Sequence, residues 1–483
     1  MPLNDTFAFS DLDLCYMSAR DQIALFKSGK LSPVDVLKAQ LARAEAVEPK
    51  INAFTDMYPD AAMSAARAAE DVYTKRPDEA RPLEGITVAI KDEMSVKGQR
   101  NTQGSLIYKD YIADDTHPVA ERLQAAGAIF HARSTTPEFC CAWVTDTRLH
   151  GTSRNPWGLE YTTSGSSGGA AAALAAGTTT LSTGSDIGGS IRGPAGACGI
   201  VGFKPPYGRV PDAPPFNLDS YCHVGAMART TGDCALMQNV ISGFHPQDIA
   251  TVREEMAIPF DYGSLKGKRI AYTFDVSNKV VTDDVTRQTH AVLDALSDAG
   301  AIVEEVHLGW GREVRDSCKN YLNHLMGAAL VREVEAHPDL VCDYTTHFAA
   351  LAKQTTADDF LAAFDVAADI YSRFGPMMEN DYYAFICPTF ASYDMYAQQK
   401  PWDRIAIGDR DFDSDYDLNT QAVFNMLSRL PVLAVPAGIG SNGRPVSVQI
   451  VARAFDDPRV FHVARVLEQS MPWLDNEARR PVL

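Results

Sequence analysis

The chain has 483 residues, 46% apolar and 22% charged, ordinary values for a soluble globular protein with a sizeable core. That length predicts two or three domains, or one large α/β domain with insertions. The formal charge of −18, from 44 Lys and Arg against 62 Asp and Glu, argues against a nucleic-acid or anionic-membrane partner.

The opening MPLNDTFAFSDLDL is acidic and lacks the basic and apolar regions of a signal peptide. No run approaches 18 apolar residues, so no membrane span is expected. Residues 1–75 are expected to form a helical segment packed on the core. Ser32 has N-cap chemistry, Pro33 suits the first helical position and Asp35 the capping-box position, with Val34, Leu37 and Leu41 at helical spacing. The run Gly85–Ile90 (GITVAI) predicts a strand ending at Lys91. Residues 118–134 read as helix, glycine stop and strand, and 286–306 repeat that rhythm.

Between Ser164 and Gly208 the chain is dense in glycine and alanine, as expected where backbone closely approaches backbone or ligand. Gly169–Gly177 reads as a buried helix. Residues 310–380 look mostly helical, and 389–418 are polar and aromatic. Together, about 310–418 are expected to form a helical and loop insertion covering the active-site face of a domain spanning 76–475. Leu430–Val435 and Val446–Val451 read as core strands. The mixture predicts an α/β fold with a large mixed β-sheet core flanked by helices on both sides.

Nine cysteines (Cys15, Cys140, Cys141, Cys198, Cys222, Cys234, Cys318, Cys342 and Cys387) are scattered without CxxC pairs, which reads as reduced thiols in a cytoplasmic protein. The eleven histidines show no HExxH or HxH spacing, so neither a metal site nor a cofactor is expected.

Three constellations compete as chemistry. Gly438–Gly443 (GIGSNG) matches GxGxxG, but Arg444, Pro445 and a strand follow where a dinucleotide site needs a helix. Gly165–Gly169 (GSSGG) matches the GxSxG elbow of α/β-hydrolase esterases, with Ser167 central. The preceding residues are too polar for the required strand, and no HGGG-like motif lies upstream. The third combines Lys91 with Ser166 and with Ser190, which closes Asp186–Arg192 (DIGGSIR). A serine needs a base to become nucleophilic at neutral pH, and a neutral lysine can be that base. Ser166 can relay a proton between Lys91 and Ser190. Gly188 and Gly189, flanked by Ile187 and Ser190, can turn consecutive N–H groups toward an oxyanion. The alternative, a tight loop in which Ser190 caps a helix, stays open on these grounds.

These residues, in this order, resemble the amidase-signature family of serine hydrolases. The matching stretches are GITVAIKDEMSVKG (85–98), TSRNPWGLEYTTSGSSGG (152–169) and SDIGGSIRGPAGACGIVGFKPPYGRV (185–210), with weaker matches at 224–242 and 431–451. The resemblance implies the amidase-signature fold, with Ser190 as acyl-enzyme nucleophile, Ser166 as a bridging serine after a cis peptide bond, and Lys91 as base. It implies an oxyanion hole from the N–H groups of Ile187, Gly188, Gly189 and Ser190, and substrate contacts from Cys140, Gly165 and Ser167. Asp186 and Arg192 become a supporting ion pair. The sequence departs from the family pattern at Ser164, Ser185, Thr135 and Pro206. The function implied is hydrolysis of small neutral amides, with aryl amides and carbamates (urethanes) as candidates, by a monomer or homodimer. The rival within the resemblance is a glutaminase-type subunit of an amidotransferase complex.

Overall fold

The computed structural model describes residues 9–276, 280–407, 410–474 and 477–483. One eleven-stranded mixed sheet organises it. In spatial order its strands are Phe54–Met57, Ile129–Ser134, Thr87–Lys91, Leu181–Asp186, His223–Ala228, Val201–Lys204, Val432–Ile439, Pro445–Val451, Ala384–Pro388, Arg269–Tyr272 and Ile302–Glu305. Thr87–Lys91 lies parallel to both of its neighbours, whereas the central strands from His223–Ala228 to Ala384–Pro388 pair antiparallel.

Local sequence explains the elements that carry the site. Thr87–Lys91 is buried along its whole length, as its near-continuous apolar run requires between two parallel neighbours. Helix Pro33–Ile51 begins where Ser32 accepts the Val34 N–H, with proline at its first position. Helix Gly168–Ala176 is buried on every side, consistent with a sequence of glycine, alanine and one leucine. Its start tolerates no side chain: a Cβ on Gly169 would lie 2.2 Å from Thr135 Oγ1 and 2.4 Å from Ala53 O. The glycine and alanine density is thus a close-packing device that seats the Ser164–Ser167 loop against the sheet.

The first 75 residues supply helices Pro33–Ile51 and Pro59–Lys75 and also the edge strand Phe54–Met57, paired antiparallel with Ile129–Ser134. Residues 310–418 contribute the long helices Arg312–Ala336 and Ala357–Asn380, and strand Ala384–Pro388 inside the central sheet. The GxGxxG run occupies the turn of the hairpin between Val432–Ile439 and Pro445–Val451. Among the described residues no helix is long and apolar enough to cross a membrane, and no group of three or more metal-ligating side chains is present.

Candidate active site

Two parallel interior strands, Thr87–Lys91 and Leu181–Asp186, have their C-terminal ends on the same side of the sheet, and the candidate residues gather there. Carboxyl ends of parallel strands are where α/β sheets commonly place ligands. Lys91 is the last residue of its strand and fully buried. Its Nζ stands 2.7 Å from Ser166 Oγ and 2.7 Å from Ser185 Oγ. Ser166 follows a cis peptide bond from Gly165. A Cβ on Gly165 would lie 2.6 Å from the Ala142 carbonyl oxygen, so only glycine fits there.

Ser190 lies on the turn after Leu181–Asp186, on the wall of a cleft also lined by Cys140, Trp143, Ile187 and Leu322. Its Oγ is not hydrogen-bonded to Ser166 among the described contacts, so the structure joins Lys91 to Ser166 directly and places Ser190 beside them. Catalytic hydrogen bonds are often long in a free enzyme and tighten only around substrate.

The Asp186 carboxylate organises that turn. It accepts N–H groups from Gly189 at 2.8 Å, Ile191 at 3.1 Å and Arg192 at 3.4 Å, the Arg192 guanidinium through Nε at 3.0 Å and Nη2 at 2.9 Å, and Asn425 Nδ2 at 2.8 Å. Burial opposes its charge, but Arg192 and these hydrogen bonds hold the carboxyl far below the usual carboxylate range. Arg192 spends its remaining donors on Gln421 O, Gln449 Oε1 and Asn425 Oδ1. Gly189 gives its N–H to Asp186 and does not line the cleft, whereas Ile187, Gly188 and Ser190 do. Gly189 has a φ of 121°, and a Cβ there would meet Gln421 Oε1 at 2.3 Å.

Ser167, expected to contact substrate, faces inward. Its N–H donates to Ser190 O at 3.2 Å, and its Oγ lies 3.4 Å from Ser185 O and from Ser185 N. It stitches the Ser164–Ser167 loop to the Ser190 turn and lines neither of the cleft's two adjoining chambers, which share Cys140, Ile187 and Met326. The strand before it, Gly158–Thr162, pairs with Arg154–Asn155 in a small ribbon and bridges Tyr396 through Tyr161, outside the main sheet, so the elbow geometry is absent. An elbow serine also needs a histidine base, and the His223 ring is built into the fold. Its ring nitrogens lie 2.6 Å from Tyr221 O and 3.1 Å from Ser428 O, and burial drives its pKa down to about 3. Ser167→Ala should therefore retain covalent labelling by a fluorophosphonate; loss of labelling in a folded variant would restore the esterase reading.

Cys140 lines both chambers of the cleft. Phe139 and Cys140 adopt φ of 52° and 56°, a strained pair for residues with side chains, of the kind that persists where surrounding structure fixes it. Burial, then the Glu93 charge, pushes the Cys140 thiol up to about 12, so it is a neutral hydrogen-bond donor.

Reasoning from the sequence missed Glu93. Its Oε1 stands 3.3 Å from Lys91 Nζ, and its Oε2 accepts from Cys140 Sγ at 2.7 Å. Although burial works against its charge, the Lys91 ammonium and hydrogen bonds from Cys140, Ser185 and Lys91 hold Glu93 below the usual carboxylate range. The signal was its place two residues after Lys91, just past a strand end. Within the segment expected to cover the active-site face, the sequence singles out no residue of helix Arg312–Ala336, yet Leu322, Met326 and Leu330 line the cleft together with Trp143. Tyr416 stacks on Trp143 at 5.4 Å, and burial pushes the neighbouring Asp415 carboxyl up to about 7.

This fold and site have relatives. A family model described as Amidase matches residues 35–461, and the chain belongs to that family, the amidase-signature class of amidohydrolases. It is 31% identical to a glutamyl-tRNA(Gln) amidotransferase subunit of Carboxydothermus hydrogenoformans, over 95% of this chain and 98% of that protein. It is likewise 31% identical to an acylamidase of Rhodococcus erythropolis, over 97% and 98%. Among solved structures, a bacterial aryl acylamidase shares the fold with a TM-score of 0.86 at 24% identity, covering 97% and 99%. A 6-aminohexanoate cyclic dimer hydrolase follows with 0.81 at 26%, covering 97% and 99%.

Proposed function

We propose that the chain is a cytoplasmic hydrolase of neutral amides, with aryl amides and carbamates as its substrate class, acting through an acyl-enzyme on Ser190. The observation that carries this reading is the 2.7 Å contact between buried Lys91 Nζ and Ser166 Oγ beside the Ser190 turn. Neutral Lys91 takes a proton from Ser166 as Ser166 takes one from Ser190, and Ser190 Oγ attacks the carbonyl carbon. The N–H groups of Ile187, Gly188 and Ser190 receive the oxyanion. Ser166 then returns a proton to the leaving nitrogen, the C–N bond breaks and water hydrolyses the ester on Ser190. With a carbamate the ester is a carbonate, whose hydrolysis releases an alcohol and carbon dioxide.

The apolar wall formed by Leu322, Met326, Leu330 and Trp143 supports an uncharged acyl or aromatic group over a free amino acid. The similarity to an acylamidase points the same way, while the equal similarity to an amidotransferase component keeps a glutaminase as the rival. A panel of anilides, primary amides, esters, aryl carbamates and glutamine, scored by kcat/KM on the purified chain, separates them. Anilides and aryl carbamates should lead; dominant glutaminase activity would overturn the reading.

A further inference from the structure

Cys140, Ile187 and Met326 line both chambers of the cleft and so mark the boundary between them. One chamber carries Ser190, Gly188 and the apolar wall of helix Arg312–Ala336. The other carries Ser166, Ser185 and Glu93. On the reading of Ser190 as nucleophile and Ser166 as proton donor, on which this inference rests, the orientation of substrate is fixed. The acyl carbon lies against Ser190, the departing nitrogen lies against Ser166, and the amine half extends into the chamber of Glu93.

The charges of that chamber are one-sided. Among the described residues no lysine or arginine lines it. Asp186 is bound by Arg192 at 2.9 Å, and Asp212 stands 2.9 Å from His117 Nε2. Glu93 differs from Asp186, because its counter-charge is the proposed base itself. Among the described residues its carboxylate has a single ion-pair partner, Lys91, whose Nζ stands 3.3 Å from Oε1. When Lys91 is neutral, as it must be to accept a proton, Glu93 is left as an uncompensated carboxylate in a largely desolvated wall. Such a charge is costly, a nearby cation relieves the cost and an anion increases it.

We propose that the Glu93 chamber is the leaving-group subsite and that Glu93 makes it selective for amines bearing a positively charged substituent. The substrate cation takes the place of the Lys91 ammonium during the step in which Lys91 is neutral. Cys140, donating to Glu93 Oε2, keeps the carboxylate turned toward Lys91 and the chamber.

The test uses acetanilides of p-(aminomethyl)aniline, p-toluidine and p-aminobenzoate, alongside anilides of δ-aminovaleric, valeric and glutaric acid, which move the charge to the acyl half. Wild type should favour the ammonium over the carboxylate amine by about tenfold or more in kcat/KM, the size of a ~1.4 kcal/mol charge preference. In Glu93→Gln that ratio should shrink to about threefold or less, while the acyl-half series keeps its wild-type ratios. A general loss of rate from disturbing Lys91 cancels within each ratio. An amine-half ratio unchanged by the substitution, or a Glu93-dependent change confined to the acyl half, overturns the proposal. Should Glu93→Gln not fold, inhibition of the wild-type enzyme decides: p-(aminomethyl)aniline should inhibit more tightly than p-aminobenzoate, and the reverse order overturns it. Ser190 labelling in the same wild-type preparation keeps the two questions apart, since its loss would remove the underlying mechanism, whereas flat ratios with labelling intact remove only the subsite.

Discussion

Ser190→Ala should lower kcat/KM for any accepted anilide by at least about 10⁴-fold, with the folded state little changed. Removing a serine nucleophile elsewhere costs on this order or more, because nucleophile, relay and base act as one unit. The substitution deletes a single oxygen at the cleft wall and leaves the Gly189, Ile191 and Arg192 bonds to Asp186 in place. Thermal denaturation alongside the kinetics makes the comparison strict. A variant with the wild-type midpoint that retains more than about a hundredth of the activity would put the nucleophile elsewhere.

The second large effect concerns stability. Asp186→Asn should destabilise the fold by about 3–5 kcal/mol, the typical cost of removing one partner of a buried ion pair. Neither charge has access to water, and the Arg192 guanidinium keeps only neutral acceptors once the carboxylate is gone. The sign of the pH dependence follows from the depressed native pKa. The contribution of Asp186 is present in full above its unfolded pKa of about 4 and is lost as pH falls below that toward the native value. Wild type should therefore lose stability through that acidic window more steeply than Asp186→Asn. Parallel acid-unfolding curves would contradict the assignment. Activity should fall with it, because the same carboxylate sets the turn that presents Ile187, Gly188 and Ser190.

Much of this site was legible because its chemistry is local in sequence. The strand ending at Lys91, the buried helix after Ser167 and the Asp186–Arg192 turn each reveal themselves through a contiguous pattern of apolar, small or charged residues. What escaped depends on distant segments meeting. That Gly189 is taken by Asp186 is a matter of turn geometry, which four adjacent N–H groups do not disclose. Ser167 sits next to Ser166 in sequence, yet the path of the Ser164–Ser167 loop turns one toward Lys91 and the other inward against Ser185. Leu322, Met326 and Leu330 follow helical spacing, and the pattern alone could not say that they face a cleft instead of a core. Glu93 was hidden for another reason: one of two adjacent carboxylates after a strand reads as a solvated loop residue until Lys91 and Cys140 are found around it.

Formation of an ester on Ser190 can be read by peptide mapping with mass spectrometry after reaction with a fluorophosphonate. A single adduct should appear on the peptide containing Ser190, absent in Ser190→Ala and much slowed in Lys91→Ala. An adduct on the peptide containing Ser166 and Ser167, or one that survives Ser190→Ala, would contradict it.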